Sequence, residues 1–140
     1  MPITLDEFKR LSKKPRSVVV EEKARRIMSE LLGVPLTKKK LNIFGIQQEF
    51  DLVNERAKIV GDVKLYETKT SSPTAEIDRI SAYIWFMEKL ELSSKSKWRK
   101  IIVGFGNRKI FQNYKKRYGA WIKDVEIYFI DENDKVHKIE

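Results

Sequence analysis

The chain has 140 residues, of which 41% are hydrophobic and 35% are charged, and its formal net charge is +9. The absence of cysteine excludes a disulfide framework, a thiolate zinc site and a cysteine nucleophile, and the single histidine, His137, excludes a metal site built on several histidines. The positive charge favours a polyanionic partner such as nucleic acid, although it also fits an ordinary lysine-rich surface.

The length and the apolar content predict one domain over residues 1–140, with residues 1–16 as an N-terminal helical extension. No run of residues is long and apolar enough to span a bilayer, and the first residues do not resemble a signal peptide. We therefore expect a cytoplasmic protein that has no membrane partner.

Two helices are predicted at the start of the chain. Thr4 and Glu7 form a capping-box pattern that opens a short helix over residues 4–13. A longer helix follows over residues 17–32, and Gly33 is its predicted stop. At about 100° per residue, Glu21 lies on the flank of the apolar stripe of this second helix. Glu21 is therefore either an acid presented to the sheet or a residue that stabilises the helix N-terminus.

A lysine run and a first strand follow the second helix. The run comprises Lys38, Lys39 and Lys40, and the predicted strand covers residues 41–47. Adjacent lysines are typical of a solvated loop, but in a basic protein they can also contact a phosphate backbone. The sequence does not choose between these interpretations.

The next stretch predicts a β-hairpin with strands at residues 49–54 and 58–66. Because side chains alternate along a strand, Asp62 and Lys64 share one face of the second strand, and Val63 points to the other. The same rule places Phe50 and Leu52 on one face of the first strand and Asp51 on the opposite face. Across the hairpin, Asp51 can then lie beside Asp62.

Two carboxylates and one ammonium on one patch of sheet suggest a metal site. Neighbouring carboxylates repel each other unless a cation lies between them, and Mg²⁺ is commonly held by one or two carboxylates with water and phosphate oxygens. Lys64 could then stabilise charge on a phosphate or help to hold an attacking water. The chemistry indicated is metal-assisted hydrolysis of a phosphodiester. The alternative is that Asp62 and Lys64 form an ordinary surface ion pair.

The second half of the chain alternates helices and strands. Residues 68–74, which include Lys69, form a polar loop that either contacts substrate or simply connects two elements. Trp85 lies on the outer face of the helix that follows, where it predicts either a homodimer contact or packing against another part of the chain. The predicted elements are a helix to residue 92, a strand at 100–105, a helix at 108–118, a strand at 125–130 and a short strand at 135–139.

Asp51, followed after ten residues by Asp62, Val63 and Lys64 on a Val- and Ile-rich strand, resembles the motif of the PD-(D/E)XK nuclease superfamily. The element order α-β-β-β-α-β-α-β is also similar to that family, and the likeness is greatest to small archaeal Holliday-junction-resolvase and Mrr-like members. The chain departs from the family pattern in having Phe50 before Asp51, Asp62 in place of the commoner Glu, and no Gln at the usual place on the following helix.

The resemblance implies an α/β fold of restriction-endonuclease type, with a mixed central sheet that carries helices on both faces. It also implies a Mg²⁺- or Mn²⁺-dependent deoxyribonuclease that acts on DNA, with branched or flap DNA as a candidate substrate. The metal would be held by Asp51, Asp62, the Val63 carbonyl and Glu21, and Asp51, Asp62, Lys64 and Glu21 would act in catalysis. Lys38, Lys39, Lys40 and Lys69 are the expected contacts to the nucleic-acid backbone.

Two other hypotheses remain open at this stage. One is a catalytically weak or inactive DNA-binding module on the same fold, acting in repair or recombination or as a subunit. The other is a structural protein in which Trp85 serves only assembly.

Overall fold

The computed structural model describes residues 16–67 and 74–140. The predicted helix at residues 4–13 and the predicted backbone contact Lys69 lie outside this described part. The described elements, in chain order, are α1 (Arg16–Leu32), β1 (Thr37–Ile43), β2 (Ile46–Asn54), β3 (Ile59–Tyr66), α2 (Thr74–Ser94), β4 (Arg99–Gly106), α3 (Arg108–Tyr118), β5 (Val125–Ile130) and β6 (Val136–Ile139).

The strands form one six-stranded sheet in the order β1-β2-β3-β4-β5-β6. The β1–β2, β2–β3 and β5–β6 pairs are antiparallel, whereas β3, β4 and β5 run parallel. The predicted α/β class with a mixed sheet is therefore confirmed.

Helices cover both faces of the sheet. Ala24 and Met28 of α1 pack on one face with Leu52 and Val63, and on the other face Ile84 of α2 is one of the helix residues in a larger core. Burial of apolar side chains on both faces explains why β4 is apolar along most of its length. None of the helices in the described residues is long and apolar enough to cross a membrane.

The helix ends follow capping signals in the sequence. Gly33 has φ 73°, and its N–H donates to the Ser29 carbonyl at 2.9 Å, so α1 ends at the predicted glycine. The side chain of Asn107 accepts a hydrogen bond from the Lys109 N–H and caps α3. Helix α3 and strand β5 have the bounds predicted from the sequence.

The predicted strand at residues 41–47 is wrong. The chain reverses inside this range, where β1 ends at Ile43 and β2 begins opposite it at Ile46. Phe44 and Gly45 form the turn with φ values of 48° and 89°, the left-handed conformation that two-residue hairpin loops require. The side chain of Asn42 stabilises the turn by accepting a hydrogen bond from the Gly45 N–H at 2.8 Å.

The prediction that Phe50 and Leu52 share a face of the sheet is also wrong. Thr37 lies opposite Val53 and Lys39 lies opposite Phe50, so two steps along β1 match three steps along β2. This β-bulge breaks the alternation of side chains. Phe50 consequently packs in the core beneath α2 and α3, whereas Leu52 packs in the core beneath α1.

We predict that Gly104→Ala destabilises the protein, because a Cβ on Gly104 would lie 2.4 Å from the ring of Phe111. Overpacking of this kind costs about 1–3 kcal/mol of unfolding free energy, which urea denaturation measures. The same change in a Phe111→Leu background should cost less, since the ring is gone. An equal cost in both backgrounds would contradict this packing argument.

Candidate functional site

The candidate site lies where strands β2 and β3 separate. The two strands are aligned from Asn54 opposite Ile59 only as far as Leu52 opposite Gly61. Asp51 and Asp62 would come next in that register, but the backbone pairing between β2 and β3 ends at Leu52 and Gly61. The bulge in β2 begins at this point, and bulges often redirect a side chain next to an active site.

Asp51 fills the gap between the strands. Its Oδ2 accepts a hydrogen bond from the Val63 N–H at 3.0 Å, which replaces the lost bond between strands. The N–H and C=O of one strand residue point to the same side of the strand. The Val63 carbonyl therefore also faces the gap, beside the Asp51 carboxylate.

Asp62 and Lys64, on either side of Val63 in β3, form a buried pair. Lys64 Nζ lies 2.6 Å from Asp62 Oδ2, and Asp62 is only 3% exposed. Burial raises the pKa of Asp62 to about 8; Lys64 opposes this shift, and the nearby Asp51 carboxylate adds to it. At neutral pH a protonated Asp62 can therefore donate to Asp51 while it accepts from Lys64.

Glu21 reaches the same gap from α1. Its carboxylate lies 3.0 Å from Lys38 Nζ, and it is within hydrogen-bonding reach of Asp51. Burial raises the pKa of Glu21, Lys38 lowers it, and Asp51 raises it further. The hydrogen bond that Lys38 donates to Glu21 in turn raises the pKa of Lys38, which also lies 3.5 Å from Glu49.

Two further side chains hold this arrangement in place. Arg25 Nη1 donates to the Asp51 carbonyl at 3.3 Å, which links α1 to the bulge. Lys64 Nζ lies 3.8 Å from the ring centre of Tyr83 on α2, a cation–π contact. Burial and the four nearby carboxylates raise the pKa of Tyr83 to about 12, so its hydroxyl stays protonated and uncharged.

The structure brings together Glu21, Asp51, Asp62, Val63 and Lys64, all of which were singled out from the sequence. Lys38 joins them as a partner of Glu21, within strand β1 and not in a loop. Lys39 is 2.6 Å from Glu55, away from this group, and Lys40 is exposed with no ion pair in the described part of the chain. Trp85 is 56% exposed on α2.

A metal ion fits the donor chemistry of this site only in part. In the described ranges 16–67 and 74–140, no group of three or more His, Cys, Asp and Glu side chains is arranged to hold a metal ion. The carboxylates of Asp51 and Asp62 do lie within hydrogen-bonding reach of each other, and strand geometry directs the Val63 carbonyl to the same gap as its N–H. Two carboxylates completed by waters and phosphate oxygens are a usual protein donor set for Mg²⁺.

Tyr83, Arg25 and the pairing of Lys38 with Glu21 were not predicted from the sequence. Nothing in the sequence ties Tyr83 to Lys64, because this contact depends on how α2 packs on β3. Arg25 lies four residues after Glu21, on the same side of α1, and this spacing was the one available signal.

Comparison with known proteins gave no match: no protein-family model, no curated protein and no solved structure is significantly similar to the chain. The functional argument therefore depends on the geometry of the site.

We predict that Asp62→Asn changes how stability depends on pH in metal-free buffer. The folded wild type holds the Asp62 proton up to about pH 8, whereas the unfolded chain releases it near pH 3.8, so wild-type stability falls as the pH rises between these values. The variant lacks this loss. As the pH rises through this window, its free energy of unfolding should increase relative to that of the wild type by up to roughly 1.4 kcal/mol per pH unit.

Urea denaturation from pH 5 to pH 9 measures this difference. Asp78→Asn, at an exposed position on α2, is the matched control and should run parallel to the wild type. Parallel curves for Asp62→Asn as well would contradict the burial argument.

We also predict that the Lys64 side chain has upfield-shifted ε-methylene signals, because its ammonium lies on the ring of Tyr83. Lysine-selective NMR should show this shift in the wild type and in Tyr83→Phe, and its loss in Tyr83→Leu. A shift that survives in Tyr83→Leu would show that the ring does not hold Lys64.

Proposed function

We propose that the protein is a metal-dependent nuclease that hydrolyses phosphodiester bonds in DNA. The observation that carries this proposal is the gap between β2 and β3, where Asp51, Asp62 and the Val63 carbonyl converge beside the Lys64 ammonium. The order of elements and the mixed sheet also agree with the nuclease superfamily that the sequence resembles, and they support the proposal.

In this proposal Asp51, Asp62 and the Val63 carbonyl hold Mg²⁺ or Mn²⁺, and Glu21 completes or orients the set. The bound ion would supply positive charge to the scissile phosphate and would lower the pKa of a bound water. Asp62 would have to lose its proton to act as a ligand; its raised pKa opposes this loss, but a pKa of about 8 keeps the cost small near neutral pH.

Lys64 is the residue placed to act on the substrate. Once the Asp62 carboxylate has a metal partner, the ammonium can donate to a phosphate oxygen or position the attacking water. The Tyr83 ring limits the positions that the Lys64 side chain can reach. Arg25 holds the backbone of Asp51 through its hydrogen bond to the Asp51 carbonyl.

A second candidate is a DNA-binding module that does not cleave and that binds DNA through the basic surface expected from the net charge of +9. One observation favours it: two of the three carboxylates at the site already have a lysine partner, Lys64 for Asp62 and Lys38 for Glu21. Such pairs neutralise the acids without a metal, and the basic surface would still attract a phosphate backbone.

Cleavage of plasmid and branched DNA with Mg²⁺ or Mn²⁺ tests the first proposal. We expect the wild type to cut, and Asp62→Asn and Lys64→Ala each to lose about 100-fold or more of the rate, as is usual when a group that stabilises charge is removed. Asp78→Asn and Lys116→Ala, which change the same charges at exposed positions, should cut like the wild type.

Two results would reject the nuclease proposal. The first is wild-type protein that shows no cleavage with either ion; salt-sensitive DNA binding in the same preparation would then support the second candidate. The second is cleavage that persists equally in both site variants, since it would come from elsewhere.

A further inference from the structure

Tyr66 extends the row of site residues along β3. Asp62, Lys64 and Tyr66 are two residues apart and share the face of the sheet that packs against α2 and α3. The Cα of Tyr66 therefore lies about 7 Å beyond that of Lys64 along the strand. Neighbouring phosphates of a nucleic-acid strand are separated by a comparable distance.

The hydroxyl of Tyr66 is buried and has no hydrogen-bond partner within the described structure. The side chain is 6% exposed, and its ring is stacked on Phe111 with centres 5.6 Å apart and planes inclined by 13°. The ring is thus held in place, and the hydroxyl oxygen cannot move to a partner elsewhere. Buried tyrosine hydroxyls are normally paired, so an unpaired one indicates a group that a ligand completes.

Arg79 is a cation close enough for its charge to act on this hydroxyl. It is exposed on α2, one helical turn before Tyr83, the residue that contacts Lys64. Burial raises the pKa of Tyr66 well above its usual range; Arg79 opposes that shift, and Asp62 and Glu76 add to it. Among the described residues Arg79 forms no ion pair, with Glu76 or with any other carboxylate.

We infer that Tyr66 and Arg79 form a phosphate subsite, which binds the internal phosphodiester next to the one held at Asp62 and Lys64. A neutral hydroxyl and a guanidinium are common donors to the phosphate oxygens of nucleic acids. This assignment rests on the proposed function for its register, and it makes the substrate strand run along β3 from Lys64 toward Tyr66. The affinity of the subsite for phosphate does not depend on cleavage.

Tyr66→Phe removes only the hydroxyl and therefore separates binding from folding. If the hydroxyl serves the ligand, the variant should melt at the same or a higher temperature than the wild type, because an unpaired buried group is lost. The same variant should bind a fluorescent duplex DNA at least about 10-fold more weakly by anisotropy in EDTA, as expected when one hydrogen bond to a charged group is lost.

Arg79→Gln should weaken the same binding and reduce the slope of log K against log salt by about 1. The double variant Tyr66→Phe/Arg79→Gln should lose less than the sum of the two single losses, because both side chains bind one phosphate. Arg56→Gln is the matched control, since Arg56 is exposed in the turn at the opposite end of β3 and should not couple to Tyr66→Phe.

Unchanged DNA affinity in Tyr66→Phe, or a lowered melting temperature in that variant, would overturn the subsite. A closed dumbbell DNA without ends serves as a second probe beside a linear duplex with 5′-phosphates. Loss of affinity for the linear duplex alone would overturn the assignment to an internal phosphodiester. All of these measurements are made without divalent metal, so absence of cleavage would reject the nuclease proposal without deciding the subsite.

Discussion

The hydrogen bond from the Val63 N–H to the Asp51 carboxylate determines how this site is built. In a regular sheet a backbone carbonyl of β2 would accept that bond. The bulge in β2 removes the carbonyl from this place, and a side chain takes over. The sheet is therefore opened at one point without leaving the Val63 N–H unpaired. The opening gives the site its acidic group and exposes the polar backbone of β3 to it.

The charges around the opening are nearly balanced within the protein. Glu21, Asp51 and Asp62 are drawn together from a helix and two strands, and Lys38 and Lys64 reach them from either side. Burial would make the carboxylates repel one another strongly if all were ionised. The two lysines and the raised pKa of Asp62 reduce this repulsion. A metal-free fold can therefore keep acidic groups clustered at this point.

The sequence predicted those parts of the molecule that depend on local patterns. The period of two along β3 correctly placed Asp62 and Lys64 on one face, and α3 follows its Asn107 cap with the bounds that were predicted. The hairpin at Phe44 was missed because its turn is Phe-Gly and lacks the usual Asn or Asp signal. The left-handed Phe44 is stabilised by a residue far away in the sequence: the hydroxyl of Ser93 on α2 accepts a hydrogen bond from the Phe44 N–H at 2.9 Å.

The bulge could not be predicted for a related reason. Phe50 and Leu52 are both apolar, and a sheet with a core on each face can bury either of them on either side. The choice depends on the register between β1 and β2, which is a property of two strands together. Tyr83 and Lys38 were missed for the same reason. Tyr83 reaches the site through the packing of α2 on the sheet, and Lys38 reaches it through the pairing of β1 with β2.

The lysine run also has a consequence for the solubility of the folded protein. Among the described residues, strand β1 is the outermost strand on its side of the sheet, so one row of its backbone donors and acceptors faces no other strand of that part of the chain. Such a rim is a template onto which another molecule can add a strand and begin to aggregate. Three consecutive lysines lie along this rim, and the cost of desolvating them would oppose the addition of another strand. Charge thereby opposes aggregation at this rim, although β1 contains no proline.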